Sequence, residues 1–426
     1  MAAEPAVART GTYQPEVVQR RTLRLLFSTQ VIGGVGVAVG LSVGTLLAAD
    51  MAGKGMAGLA QSVAVVGSAL LAVPVVQVMR RHGRGPGLVA AYLAAALGAV
   101  GVVVAAVTDW IPLLFVALFL FGGGTTAGMQ ARYAAVDLAP TARRGRHLSL
   151  VVWATTLGSV AGPNLAPLAG TALDRYGVPT LAGPFAFSSL LFGLAALLVL
   201  LLLRPDPLLV ARAIRDEPAD APTERAGMRA ALSAVLARPA ARLGVSAMAV
   251  GHLMMVGVMA MTPVHILDAG HSEADTLRIV GIVLSLHIAG MFAFAPVTGW
   301  LTDRWGRRPV ILTGVALLVS ACAVAGTAGH HSGQLSVGLF LLGLGWSGTM
   351  VAGSTLLSES VPDQVRPSAQ GLADLVMGLA GALAGAVSGV VLSWAGYPTL
   401  NLLAAIATVP LVALALRPVQ RGRVEA

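Results

Sequence analysis

Charge is scarce in this chain. Of its 426 residues, 11% are Asp, Glu, Lys or Arg, and Lys54 is the sole lysine. A water-soluble protein carries about a quarter of its residues as charge, so water is not the main solvent here. Cysteine is nearly absent as well. Cys322 stands alone, which excludes an intramolecular disulfide and a cysteine-based zinc cluster, and its place inside an apolar run marks it as a small packed side chain. Also missing are the patterns that carry chemistry: there is no His-Glu-x-x-His, no glycine-rich phosphate loop and no usable Ser-His-Asp grouping. No catalytic constellation, metal site or cofactor is therefore expected.

What the chain has instead is long apolar runs. Hydrophobic residues make up 56% of it, and mean hydropathy is +0.81. In the first half the runs are Leu25–Ala49, Met56–Val78, Gly87–Val107, Ile111–Ala131, Leu148–Ala172 and Leu181–Leu203. In the second they are Leu243–Leu267, Ile279–Leu301, Pro309–Ala328, Ser336–Ser358, Ala369–Leu392 and Leu400–Leu416. Each is close to the ~20 residues that cross a ~30 Å hydrocarbon slab. Only helices satisfy every backbone N–H and C=O internally in such a medium. The expected fold is an all-α membrane protein of twelve transmembrane helices: a tail (1–24), a six-helix bundle (25–203), a polar linker (204–242), a second bundle (243–416) and a short tail (417–426).

The net charge of +9 does not indicate nucleic acid, because the arginines alternate with the spans. Arg9, Arg20, Arg21 and Arg24, Arg80, Arg81 and Arg84, Arg143, Arg144 and Arg146, the linker, Arg304, Arg307 and Arg308, Arg366, and Arg417, Arg421 and Arg423 all fall at one set of span ends. The opposite ends hold only Lys54, Arg175 and Arg278. Basic residues are retained on the cytoplasmic side, so both termini are expected there, in the cytoplasmic membrane, with the lipid bilayer as a partner.

The halves also repeat. Gly83-Arg84 matches Gly306-Arg307, Asp137-Leu-Ala-Pro140 matches Glu359-Ser-Val-Pro362, and Gly177-Val-Pro-Thr-Leu181 matches Gly396-Tyr-Pro-Thr-Leu400, at nearly constant offset. Two bundles related by a pseudo-twofold axis, with a polar cavity between them, follow from that order.

One loop is more specific. Gly299-Trp-Leu-Thr-Asp303-Arg304-Trp-Gly306-Arg307-Arg308 resembles the G-x-x-x-D-R-x-G-R-[KR] signature of the major facilitator superfamily at every constrained position. The resemblance implies a cytoplasmic gate in which Asp303 meets the N-terminus of the fifth helix near Leu148, and Arg304 or Arg307 pairs with Glu359. Asp137 is placed like Glu359 and is expected to share that role. The first-half copy departs from the pattern, with Val76 for the glycine and Arg80 for the aspartate, so the two halves are expected to latch unequally. In the fifth span, Gly158-x-x-x-Gly162-Pro163 is similar to an element of proton-coupled drug exporters in the same family. Ala166 and Pro167 replace its last two glycines, and Leu118 stands where those exporters have an arginine.

Ionisable residues at membrane depth need a partner or a task. Asp374 shares a face with Gly371, Gly378, Gly381, Gly385 and Gly389, and either couples transport or holds the structure by hydrogen bonds. Arg132, Asp50, Gln30, His252 and His287 are further candidates for the cavity or for proton movement. Met248, Met254, Met255, Met259, Met261 and Met291 crowd the seventh and eighth spans with those histidines, and read as packing or pocket lining, as a proton relay, or as soft-metal ligands. The family likeness implies a monomeric secondary active transporter whose partners are a small-molecule substrate and protons, exporting lipophilic or amphipathic compounds. A nutrient uniporter or symporter, a soft-metal transporter and a non-transporting sensor remain alternatives.

Overall fold

The computed structural model describes residues 14–140, 144–173, 176–215, 228–362 and 365–417. Arg143, Arg175, linker residues 216–227 and the tail stretches 1–13 and 418–426, with Arg9, Arg421 and Arg423, lie outside them, as do the side chains of Arg144, Arg146 and Leu148. The first half forms α1 (Pro15–Ala52), α2 (Lys54–His82), α3 (Arg84–Thr108), α4 (Ile111–Phe121), α5 (Gly123–Ala134), α6 (Arg144–Thr171) and α7 (Gly183–Leu202). The linker carries α8 (Pro207–Arg215) and α9 (Met228–Ala237). The second half forms α10 (Pro239–Leu267), α11 (Glu273–Phe292), α12 (Ala295–Trp305), α13 (Arg307–Gly326), α14 (Ser332–Ser360), α15 (Arg366–Ile406) and α16 (Val409–Leu416).

Among the described residues, 10 helices or helix runs are long and apolar enough to cross a bilayer. One of them, Ser368–Leu416, is 49 residues long and holds two crossings, broken where Gly396 turns to φ 76°. The 28-residue α6, with Pro163 and Pro167 inside it, completes the set of twelve. Two single crossings are bent: α4 passes into α5 at Gly122, and α11 into α12 at Ala293 and Phe294. Proline opens α4, α7, α10, α12, α15 and α16 at the first or second helical position, where its missing N–H leaves no bond unmade.

Two ends differ from the sequence reading. α1 starts ten residues before Leu25, and Val18 and Leu23 in that added stretch are buried. In the linker read as polar, Ala231 and Val235 of α9 join an apolar cluster with Met248, Leu357 and Ala373.

The chain gathers into two compact units. The first comprises Met1–Met51, Val63–Thr223 and Ser272–Gly281, and the second Ala52–Ser62, Glu224–His271 and Ile282–Ala426. The partition follows the two sequence halves except that residues 52–62 join the second unit and residues 272–281 the first.

Aromatic rings centre the first unit. Phe121 meets Phe185 and Phe192 edge-on at 5.4 and 5.5 Å, and Tyr92 lies against Phe192 at 6.4 Å. All four are fully buried, each contributing about 1.5–3 kcal/mol of apolar transfer where the alternative is water. They fit because α1 offers Gly33, Gly36 and Gly40 on one face: a Cβ at Gly33 would stand 2.8 Å from the Tyr92 ring, and one at Gly36 3.0 Å from Phe192. In the second unit, close helix crossings rest on glycine pairs. A Cβ at Gly244 would stand 2.6 Å from the Gly353 carbonyl oxygen, and one at Gly314 2.9 Å from that of Gly345. Without a hydrophobic force between helices in lipid, such close backbone approach is what holds them.

Candidate functional site

Two arginine–carboxylate forks sit at repeat-related positions, one in each unit. In the first, Arg84 on the opening turn of α3 donates from Nε to Asp137 Oδ2 at 2.8 Å and from Nη2 to Oδ1 at 3.0 Å. In the second, Arg307 on the opening turn of α13 donates from Nε to Glu359 Oε2 at 2.9 Å and from Nη2 to Oε1 at 2.5 Å. Such bidentate pairs fix orientation as well as distance. A glycine precedes each arginine, Gly83 at φ 99° and Gly306 at φ 91°. That backbone, which side-chain-bearing residues rarely adopt, turns the chain tightly enough to start the next helix at once.

Of the two arginines offered for Glu359, the structure pairs Arg307. Arg304 instead lies over the Trp300 ring at 5.3 Å, and Arg308 donates to the Arg417 carbonyl at 3.0 Å. Asp303 is exposed and stands 3.6 Å from Arg307. Gly299 has nothing within 4 Å of where a Cβ would be, so close packing within its unit is not the reason for a glycine there.

The first-half loop makes up for its missing aspartate from elsewhere. Arg80 is exposed and its carbonyl accepts from Arg212 at 2.8 Å. Asp206, at the start of the linker, accepts the Gly85 N–H at 2.7 Å and caps α8 through the Leu208 N–H at 3.0 Å. A carboxylate thus sits on the N-terminus of α3, where the partial positive charge of the helix favours it.

In α6 the small residues pack on α1. A Cβ at Gly158 would stand 2.7 Å from the Val31 carbonyl oxygen, and one at Gly162 2.6 Å from Ala38. α11 touches the motif one step on, where a Cβ at Gly281 would stand 2.9 Å from the Pro163 carbonyl oxygen.

The polar groups at membrane depth divide between the units. In the first, Gln30 is buried and donates to the Gly128 carbonyl at 3.2 Å and to Thr155 Oγ1 at 3.0 Å. Tyr92 donates to the Thr29 carbonyl at 3.2 Å beside it. Gln30 therefore ties α1, α5 and α6 together. Arg132 lies in the last turn of α5, and Asp50 is exposed near the end of α1. In the second unit the Trp346 indole N–H donates to His252 Nδ1 at 3.2 Å, and Phe292 meets the Trp346 ring edge-on at 5.8 Å. Met255, Met259 and Met291 pack in the same cluster. His287 is buried and bonds the Leu339 carbonyl through Nδ1 at 2.8 Å. Asp374 is exposed, and Gly371 and Gly378 beside it meet nothing within 4 Å. The tight part of that glycine face begins at Gly381, where a Cβ would stand 2.8 Å from the His252 ring. Among the described residues no group of three or more His, Cys, Asp or Glu could hold a metal ion.

The profile of the Major Facilitator Superfamily matches residues 25–283 and 273–425, both halves of the chain. The chain belongs to the Major Facilitator Superfamily. The MFS-type transporter YddS of Bacillus subtilis is 37% identical over 92% of this chain and 89% of its own length. The riboflavin transporter RfnT of Brucella anthropi is 29% identical over 94% of this chain and 95% of its own. The multidrug resistance protein MdtL of Klebsiella pneumoniae is 32% identical, over only 23% of this chain and 24% of its own. Among solved structures, a bacterial homologue of the human lysosomal transporter Spinster superposes at a TM-score of 0.71 with 15% identity, covering 93% of this chain and 95% of that one.

This major facilitator is a membrane transporter and not an enzyme. Three of the residues that shape its interior escaped the sequence reading. Trp346 becomes a partner of His252 through the packing of α14 on α10, and Phe292 meets Trp346 in turn. Asp206 lies beyond the loop whose missing carboxylate it replaces.

Proposed function

We propose that this transporter is a monomeric secondary active exporter of lipophilic or amphipathic, ring-bearing small molecules, driven by proton antiport across the cytoplasmic membrane. Both termini lie in the cytoplasm, as the arginine distribution favours. The observation that carries the substrate class is the cluster of His252, Trp346, Phe292, Met255, Met259 and Met291 in the second unit. It joins flat π-faces and polarisable thioethers to a single imidazole. Such a lining accepts aromatic ligands of varied outline and gives few fixed hydrogen bonds to a sugar or an inorganic anion.

In this reading the forks Arg84–Asp137 and Arg307–Glu359, with Asp303, Arg304, Gly306 and Arg308 around the second, form the cytoplasmic gate. Gly158, Gly162 and Pro163 give α6 the close packing and bend on which rocking turns. Asp374 carries the coupled proton. A second reading, uptake of a ring-bearing metabolite, draws on the full-length likeness to RfnT and uses the same cluster.

Accumulation of a fluorescent lipophilic dye in cells, with and without the protein and with and without a protonophore, separates the two. Export lowers accumulation, and the protonophore abolishes the difference. Unchanged or raised accumulation in energised cells defeats the export reading, and protein-dependent entry of labelled riboflavin then supports uptake.

A further inference from the structure

At the arginine-rich end of the second unit lies a cavity of about 960 Å³ lined by Arg238, Arg242, Arg307, Arg308 and Arg417. It stands apart from the aromatic cluster and belongs wholly to this unit. One of the five arginines, Arg307, is matched by Glu359. Among the described residues, two others are engaged only with carbonyl oxygens: Arg238 with Ala234 at 3.1 Å and Arg308 with Arg417 at 3.0 Å. Each guanidinium has five N–H donors, so most of the donor capacity in this wall faces the cavity or solvent. Two helix N-termini also open there, α10 at Pro239 and α13 at Arg307, and each adds partial positive charge. Leu356 and Leu414 line it as well, with Ala240, Pro309 and Ser360.

The internal repeat says what such a place holds. Beside Gly83 in the first unit, the Asp206 carboxyl group comes within 2.6 Å of where a Cβ would stand, and it takes the Gly85 N–H. Gly83, Arg84 and Gly85 correspond to Gly306, Arg307 and Arg308. Beside Gly306 the nearest heavy atom to a Cβ would be Pro309 Cδ, at 3.9 Å. The residues that deliver the carboxylate repeat too, Leu203-Arg204-Pro205-Asp206 against Leu416-Arg417-Pro418-Val419, and the acid has become valine. One half carries its own anion on this helix start, and the other has an arginine-lined cavity.

We propose that this cavity binds a phosphate group, presented by an anionic phospholipid whose acyl chains run along the apolar wall or by a soluble phosphate ester. Guanidinium forks match phosphate oxygens in pairs, and basic pockets between transmembrane helices are suited to anionic headgroups.

The test is binding of short-chain phosphatidylglycerol and phosphatidylcholine to the detergent-purified full chain, read by native mass spectrometry and by thermal stability. Phosphatidylglycerol is expected to bind saturably and raise the melting temperature, and phosphatidylcholine to bind at least about ten-fold more weakly. The double variant R242Q/R417Q should lose roughly ten-fold in affinity for phosphatidylglycerol, while R80Q/R81Q, which removes as much charge from the first half, retains it. Glycerol 3-phosphate that displaces the lipid only at far higher concentration identifies the phospholipid as ligand. Saturation by glycerol 3-phosphate in the same range as the lipid identifies a soluble ester. Equal binding of the two lipids, or equal loss in both double variants, overturns the proposal.

Discussion

At the scale of single residues, the two forks are chemically alike and differ in their surroundings. The side chains of Arg84 and Asp137 are 17% and 11% exposed, those of Arg307 and Glu359 27% and 50%. Removing one partner of a desolvated pair strands the other charge and costs about 3–5 kcal/mol, whereas an exposed pair contributes about 1 kcal/mol or less. Asp137→Asn should therefore lower the unfolding temperature in detergent well below that of Glu359→Gln, which should stay within a few degrees of the parent. Equal losses would show that burial does not set the strength of these forks. Pairing of this kind was partly legible from the sequence, because Arg307 and Glu359 stand in a recognisable loop and in a matched tetrad. The contact of His252 with Trp346 was not. Ninety-odd positions separate the two, and only the rotation of α14 on α10 brings the indole N–H to the imidazole.

At the scale of elements, glycine marks where helices turn and where they touch. Gly177 and Gly396, found first as repeat markers, share one backbone state, φ 75° and 76°. A residue with a Cβ pays about 1–2 kcal/mol in that region. Gly396→Ala should cost about that much in thermal stability, and Gly177→Ala the same, with no neighbouring atoms to add to it. A cost in only one of them would mean that the repeat does not extend to conformation. Contact is the other use. A Cβ at Gly58 would collide with the Gly385 carbonyl, and one at Gly389 would stand 2.8 Å from the Gly55 carbonyl oxygen, while Ser62 donates to the Ala382 carbonyl at 2.6 Å. Gly58→Val should reduce transport by about ten-fold or more through overpacking. Gly378→Ala, facing open space, should leave transport within about two-fold and add up to ~1 kcal/mol of helix stability. Flux in proteoliposomes at matched protein density checks both. Span number and position were legible because hydrocarbon thickness imposes a length. The bends at Gly122 and Phe294 were not, since apolar character runs on through them.

At the scale of the whole molecule, duplication explains why so much of the fold could be read from one chain: each marker found in one half had a counterpart to test it against. The segments 52–62 and 272–281, which join the units opposite to their own halves, carry no such marker, because their assignment depends on contacts and not on pattern. Coupling between proton and substrate also belongs to this scale. Asp374 is an ionisable group on an exposed face of α15, beside glycines with open space around them. A carboxyl that takes up and releases a proton in each cycle must reach water in at least one state of that cycle. Asp374→Asn keeps the size, replaces one acceptor oxygen with an NH2 donor and removes the titrating proton. If Asp374 carries the coupled proton, as proposed above, net transport driven by a pH gradient should then fall by about ten-fold or more, because that cycle could no longer exchange a proton for substrate. Exchange of labelled for unlabelled substrate at equal pH should persist within about two-fold, since it needs only binding and reorientation. Proteoliposomes loaded with a pH-sensitive dye measure both in one preparation. Loss of exchange along with net flux would move Asp374 from coupling to substrate binding or to holding α15 in place.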